Sequence, residues 1–309
     1  MTRLKHFFRE SFRNRALIIM ALPGLILVFM FNYMPMFGIS IAFKNFNYGK
    51  GILGSPWCGL DNFKMLITNM NVTSRIVRNT LGYYFLFTAV GTVANVALAI
   101  ALYECVFKRY AKVTQTIMIM PTFISFIAVT YIVNALLNNA TGMFNNILKS
   151  MGKETINWYL SPQYWPAILT VVNVWKGTGY GSIMYLSALS GMDQEIFEAA
   201  QIDGATKGQQ IRYITLPMLT GMICILLLLG LGGIMHSNTG LHYQVTKNVG
   251  LLYSTTQTID AFILNALTSG TSNFGMNAAV TFFQSVVGCV MVVATNLIVR
   301  RWDPDKALF

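Results

Sequence analysis

The residues able to do covalent chemistry are few and scattered. No Gly-x(4)-Gly-Lys-Ser/Thr phosphate loop occurs, so the chain is not itself an ATPase of that type. The histidines His6, His236 and His242 show no metal-ligand spacing. Cys224 and Cys289 fall in apolar runs, Cys105 ends one and Cys58 sits in a loop, with no Cys-x-x-Cys pair and no disulfide framework. No Ser/His/Asp set and no paired carboxylates lie inside the apolar runs. The chemistry left is that of binding and movement. Lys176 is the one formal charge inside an apolar run, where an ionisable group is costly and marks function by default. Two readings stand for it: a group lining a path across the membrane, or a partner for a carbonyl on a neighbouring span. Asn95, Asn134, Asn173, Tyr180, Tyr185, Gln284 and Asn296 are further polar residues within such runs; most intramembrane amides bond between helices.

The elements that must position these residues are membrane spans. The 309 residues are 54% hydrophobic and only 11% charged, with a mean hydropathy of +0.53, as in polytopic membrane proteins. The net charge of +11 fits cationic residues flanking spans better than it fits nucleic acid. Six apolar runs of roughly the length a bilayer needs occur at 16–43, 81–103, 113–137, 165–189, 216–235 and 278–299. The first follows a basic stretch, residues 1–15. It is too long for a signal peptide and lacks a small-residue cleavage site, so it reads as an uncleaved span kinked at Pro23-Gly24. Pro121 lies inside the third run, and residues 237–277 read as a long polar loop. With the N-terminus inside, thirteen Lys and Arg fall on the inner segments and eight on the outer loops, which predicts both termini in the cytoplasm. In the fourth span Gly177 and Gly181 have the Gly-x(3)-Gly spacing of close helix packing, either within the chain or against a second one.

Between the fourth and fifth runs lies a polar stretch, Met192 to Pro217. Asp193 is placed to cap a short helix, with Glu195 in its first turn. Ile196, Phe197, Ala200 and Ile202 give that helix an apolar stripe. Asp203-Gly204 stops it, Thr206 and Gln209 have capping-box spacing for a second helix, and Pro217 disturbs that helix as the chain turns apolar again. The prediction is a helix–turn–helix elbow at the membrane surface, presenting the small residues Ala199, Ala200 and Gly204.

Glu198-Ala199-Ala200, Gly204, Ile214, Leu216 and Pro217 resemble the EAA loop of permease subunits of binding-protein-dependent ABC importers, matching each fixed position at its spacing. Phe197 and Asp203-Gly204-Ala205 are similar to the carbohydrate-uptake branch, the maltose and polysaccharide-type permeases, and Trp175-Lys176-x-x-Gly179 resembles a pattern preceding the loop in that branch. The resemblance implies an all-α integral membrane fold of six transmembrane helices, the type I, MetI-like permease fold, over residues 16–309. Its core runs from about 75 to 301 and its coupling loop spans 192–217. It further implies a bacterial plasma-membrane protein that does no covalent chemistry and imports an oligosaccharide or other carbohydrate. Phe197, Glu198, Ala199, Ala200, Asp203 and Gly204 would engage a cytoplasmic ATPase dimer. A second permease subunit and an extracellular solute-binding protein would complete the system. Asn173, Lys176 and Tyr180 are the candidates for the translocation path. Residues 237–277 depart from the branch, which carries Phe-Asp-Gln and Tyr-Asn-Pro segments there. An ATP-independent secondary transporter or channel is the alternative, but its coupling-ion site would need intramembrane acids, and Glu104 only ends a span. A membrane scaffold without transport is a third reading.

Overall fold

A computed structural model describes residues 14–269 and 273–302. The basic stretch expected at residues 1–15 falls almost wholly outside the described residues. Among those described there is no strand, only an isolated bridge between Lys44 and Trp57. The helices that matter below are α1 (Arg15–Phe43), α2 (Met70–Tyr103), α3 (Lys108–Phe123), α4 (Phe126–Leu137), α5 (Trp165–Ser190), α6 (Gln194–Ile202), α7 (Lys207–Gly233), α8 (Ile259–Thr268) and α9 (Phe274–Trp302).

Four of these, α1, α2, α7 and α9, are each long and apolar enough to cross a membrane. The pair α3 and α4 is long and apolar enough only when taken together, and it is bent by 99° at the break between them, as a broken span or a re-entrant loop is. At 26 residues α5 spans about 39 Å, also enough, but Asn173, Lys176 and its many small and hydroxyl side chains lower its hydropathy. The expected third span, 113–137, is therefore not continuous. Pro121 lacks the N–H of a regular ladder, and Ile124 and Ser125 take extended backbone, with ψ of 128° and 150°. Ser125 then caps α4 by accepting from the Ala128 N–H at 3.3 Å.

Other boundaries also differ. The second span begins upstream of 81, because α2 runs 34 residues from Met70. Pro23 sits inside regular α-helix; the departures in α1 come later, as a π turn over Phe29–Tyr33 and a 3-10 stretch over Met34–Phe43 that opens with Pro35. Pro217 does not break the elbow's second helix. A π turn over Ile211–Thr215 absorbs the missing N–H, and α7 continues as the fifth span.

The chain divides into two contact units, residues 1–68 with 272–282 and residues 69–271 with 283–309. In the first, the Asn62 amide donates to the carbonyls of Ala42 and Lys44 at 2.9 and 3.0 Å. Phe43 stacks on Trp57 and meets Phe63 and Phe282 at their edges or at a tilt. In the second, α5 packs along α2 and α3. Tyr83, Val129, Val133, Trp165, Leu169 and Val172 form a buried cluster with Leu241, Val245 and Leu252.

Those last three come from the segment expected to be a polar loop. It is instead folded, with short helical turns at Gly240–Val245, Gly250–Leu252 and Tyr253–Thr256 ahead of α8. Its apolar residues are spaced too irregularly to show a period, yet each fills the core, while the polar ones between them bond locally. The His242 ring donates through Nδ1 to the Thr256 carbonyl, 3.1 Å away, and the Thr246 hydroxyl donates to the His242 carbonyl at 2.7 Å.

The glycines of α5 are mostly spent inside the chain. A Cβ on Gly179 would lie 1.8 Å from the Met118 carbonyl oxygen, and one on Gly181 would lie 2.4 Å from the Asn95 amide, whereas Gly177 faces open space. Gly179→Ala must push α5 off α3, an overpacking cost of about 1–3 kcal/mol. Its midpoint of thermal unfolding in detergent should fall by several degrees while Gly177→Ala stays at wild type; equal midpoints for both would contradict this packing.

Candidate functional site: the elbow and the broken span

The elbow forms as its cap residues dictate. The Asp193 carboxylate accepts from the Glu195 N–H at 3.0 Å and starts α6. At the other end Gly204 has φ of +81°. Its N–H bonds the Gln201 carbonyl at 3.1 Å and the Ala205 N–H bonds the Ala200 carbonyl at 2.9 Å, the paired bonds of a left-handed helix stop. Thr206 and Gln209 make the capping box, both halves present, that starts α7. The Lys207 ammonium pairs with Glu104 at 3.0 Å, tying the elbow to the turn after α2.

The apolar stripe is narrower than expected. Only Phe197 is buried, its ring 6.5 Å from that of Tyr103. Ile196 is exposed and Ile202 is 86% exposed. At about 100° per residue, Gln194 and Phe197 share one side of α6, Ala199 and Ile202 turn away from it, and Glu198, one turn on from Gln194, stands between the two sides. Glu198, Ala199, Asp203 and Gly204 are all exposed and Ala200 is half-buried. The outward side of the elbow is thus a small-residue surface edged by two acids and one large apolar side chain, with no partner within the chain.

At the broken span Lys176 does the work of a helix cap. Its ammonium donates to the carbonyls of Pro121 and Thr122, at 3.0 and 2.8 Å, and of Ile124. It also lies 4.9 Å from the centre of the Phe126 ring, and the Thr122 hydroxyl returns a bond to the Lys176 carbonyl at 2.8 Å. The Pro121 carbonyl also accepts from the Ile124 N–H at 3.2 Å, but the Thr122 and Ile124 carbonyls lost their ladder partners when α3 ended, so one cation supplies what the bend removes. Asn173 lines a cavity of about 190 Å³ between α2 and α5, where the Asn95 side-chain oxygen is buried without a partner. Tyr180 is 63% exposed. The three path candidates share one helix, but the structure does not gather them into one site.

A cluster that residue types alone did not bring together sits after α7. Asp260, at the start of α8, accepts from the Ser237 N–H and, at 3.3 Å, from the Gln284 amide of α9; Gln284 also bonds the Met235 carbonyl at 2.8 Å. His236 stands 3.6 Å from Asp260, an ion pair longer than a formed hydrogen bond. Asp260 is the one acid between residues 237 and 277, which was the available signal. Burial alone would raise its pKa, but His236, the Ser237 N–H and Gln284 together hold it below the usual value. The Asp260 carboxylate raises His236 against the lowering effect of burial, whereas burial pushes His242 down to about 4.

The profile of the family described as binding-protein-dependent transport system inner membrane component matches residues 106–304. The chain belongs to that family. Two Bacillus subtilis (strain 168) relatives align over nearly the whole permease. Protein LplB is 31% identical over 95% of this chain and 91% of its own length. The polygalacturonan/rhamnogalacturonan transport system permease protein YteP is 30% identical over 97% and 92%. A permease-bearing crystal structure, that of a bacterial ABC transporter involved in the import of the acidic polysaccharide alginate, superposes with a TM-score of 0.85 at 31% identity, covering 96% of this chain and 99% of the matched one. The all-helical, membrane-embedded permease fold expected from the elbow motif is therefore the fold found.

A raised His236 stabilises the fold fully below its ordinary pKa of about 6.5, and that contribution is lost as pH rises through the higher folded value. The thermal midpoint should therefore drop as pH rises above about 6.5, and His236→Gln should flatten that part of the profile. An unchanged slope in the variant would show that the pair is not formed.

Proposed function

We propose that this permease is the membrane subunit of an ATP-driven importer that receives an oligosaccharide from a solute-binding protein and couples to a separate ATPase through its elbow. The observation that carries the coupling is the outward side of α6: Glu198, Ala199 and Ile202 exposed, and Gly204 at positive φ with open space around it, none of these side chains paired among the described residues. Small residues let a second surface approach closely, and Glu198 offers a carboxylate for a basic residue on it. The solute reading rests on the relatives, which include a polygalacturonan/rhamnogalacturonan permease and a Thermococcus litoralis trehalose/maltose permease. The binding-protein partner rests on a second alginate-transporter structure, 31% identical with a TM-score of 0.84, solved with an alginate pentasaccharide-bound periplasmic protein.

In this proposal the ATPase subunits close on ATP, the elbow follows, and α7 transmits the motion, being continuous from Lys207 into the membrane. The spans then alternate access around a midplane site. Asn173, Lys176 and Tyr180 remain the candidates nearest that path, with Lys176 acting through the bend. One elbow engages one ATPase, so a second, related permease completes the dimer. The site is in a bacterial plasma membrane with both termini inside, as the charge bias predicts.

Gly204→Asp places a Cβ at φ of +81° and a charge on the docking side. No neighbour lies within 4 Å of that Cβ, so the spans should still insert. We expect the variant to lose most ATPase co-purification or to uncouple hydrolysis from uptake. Glu198→Ala should be milder, removing one exposed ion pair worth about 1 kcal/mol or less. Wild-type co-purification and uptake with Gly204→Asp would remove the elbow as the coupling surface.

A further inference from the structure

A cavity of about 780 Å³ lies behind the elbow. Its floor is apolar: Leu102 at the end of α2, Leu186 near the end of α5, Ala111 of α3 and Phe197 of α6. Its rim is basic. Lys108, Lys112 and Lys207 line it against one acid, Glu104, and Glu104 is already paired with Lys207. Lys108 reaches back to the Tyr103 carbonyl at 3.2 Å and lies 5.8 Å from the centre of that ring, while Lys112 has no partner for its ammonium.

Two cations are therefore left without a counter-charge, four residues apart on one helix face, where like charges repel. The first turn of α3 carries no acid and Phe107 gives it no side-chain cap, so the helix terminus adds positive potential on the same side. The groove also stands where the apolar helices α2 and α5 end and α3 begins, the place on the chain where apolar runs give way to polar turns. An apolar floor with a cationic rim at that level matches one chemistry: a phosphate ester carrying hydrocarbon. The side of α6 that closes the groove carries Gln194 and Phe197, while Ala199 and Ile202 turn away from it and Glu198, which does not line the groove, stands at the border, so filling it leaves the small-residue surface free.

We propose that this groove binds the phosphate headgroup of an anionic phospholipid, with Lys108 and Lys112 as its ligands, and that the lipid wedges the elbow against the turn after α2. The proposal needs only the membrane boundary and does not rest on ATPase coupling.

The test is lipid binding by the full-length chain, purified in mild detergent with whatever subunits accompany it. Thermal midpoint and lipid retention by native mass spectrometry are read with dioleoyl-phosphatidylglycerol, dioleoyl-phosphatidylcholine and inorganic phosphate. Phosphatidylglycerol alone should raise the midpoint and be retained. The double variant Lys108→Gln, Lys112→Gln should lower its apparent affinity by about tenfold, from two cations near an anionic headgroup. Lys149→Gln with Lys153→Gln, exposed lysines far along the chain, should bind as wild type. Inorganic phosphate acting as strongly as the lipid would assign the basic rim to a soluble phosphate and overturn the lipid as occupant. No preference for phosphatidylglycerol over phosphatidylcholine, or equal retention by the Lys108/Lys112 variant and wild type, would overturn the site.

Discussion

A backbone carbonyl inside a bilayer has no water to turn to, and the chain must break one of its spans while obeying that constraint. The 99° bend between α3 and α4 frees the carbonyls at the end of α3, and Lys176 reaches across from α5 to take three of them. The exchange works in both directions. A lone ammonium at that depth would cost several kcal/mol, and so would the Thr122 and Ile124 carbonyls left without a donor. Each group makes the other tolerable. The close approach this requires is supplied by Gly179, which lets α5 touch the Met118 carbonyl. The bend, the lysine and the glycine are one device, and α4 is aimed by it toward the packed segment Gly240–Val245.

The elbow depends on a similar economy at the surface. One glycine at positive φ, one aspartate cap and one capping box fix a nine-residue helix with almost no burial beyond Phe197. A short helix held this way keeps its own shape while its outer side stays exposed, which suits the docking role proposed for it. Because α7 runs on unbroken through its π turn, movement of the elbow has a stiff connection into the membrane.

Local signals in the sequence told these features apart well. Asp193, Gly204, Thr206 and Gln209 each act through neighbours a few residues away, and each was legible from residue type and spacing. Length and apolarity made most of the spans legible too, but against six expected, four helices are long and apolar enough on their own and the α3–α4 pair makes at most a fifth, α5 being diluted by polar and small side chains. Features set by distant partners were not. Pro121 marked the third span as irregular, but the bend itself depends on Ser125 capping α4 and on Lys176, which is 52 residues past Ile124. The segment 237–277 looked polar on average, while its fold depends on Leu241, Val245, Leu252 and Ile259 finding cavities in the core. The stripe on α6 misled for the opposite reason: Ile202 has helical spacing for burial but lies past the point where the membrane-side packing ends, at 86% exposure. Asp260 and His236 are 24 residues apart, so their pairing carried no short-range signature.

The central physical claim is that the charge on Lys176 holds the broken span bent. The direct measurement is the distance between spin labels placed on Gln115 of α3 and Tyr131 of α4, one on each side of the break, in the reconstituted permease. Wild type and Lys176→Arg should give the same short distance, since a guanidinium still donates to several carbonyls. In Lys176→Met the carbonyls lose their donor, and the distribution should broaden and shift to longer distances as the two helices realign to recover their own hydrogen bonds. An unchanged narrow distance in Lys176→Met would contradict the account and place the cause of the bend in the backbone alone.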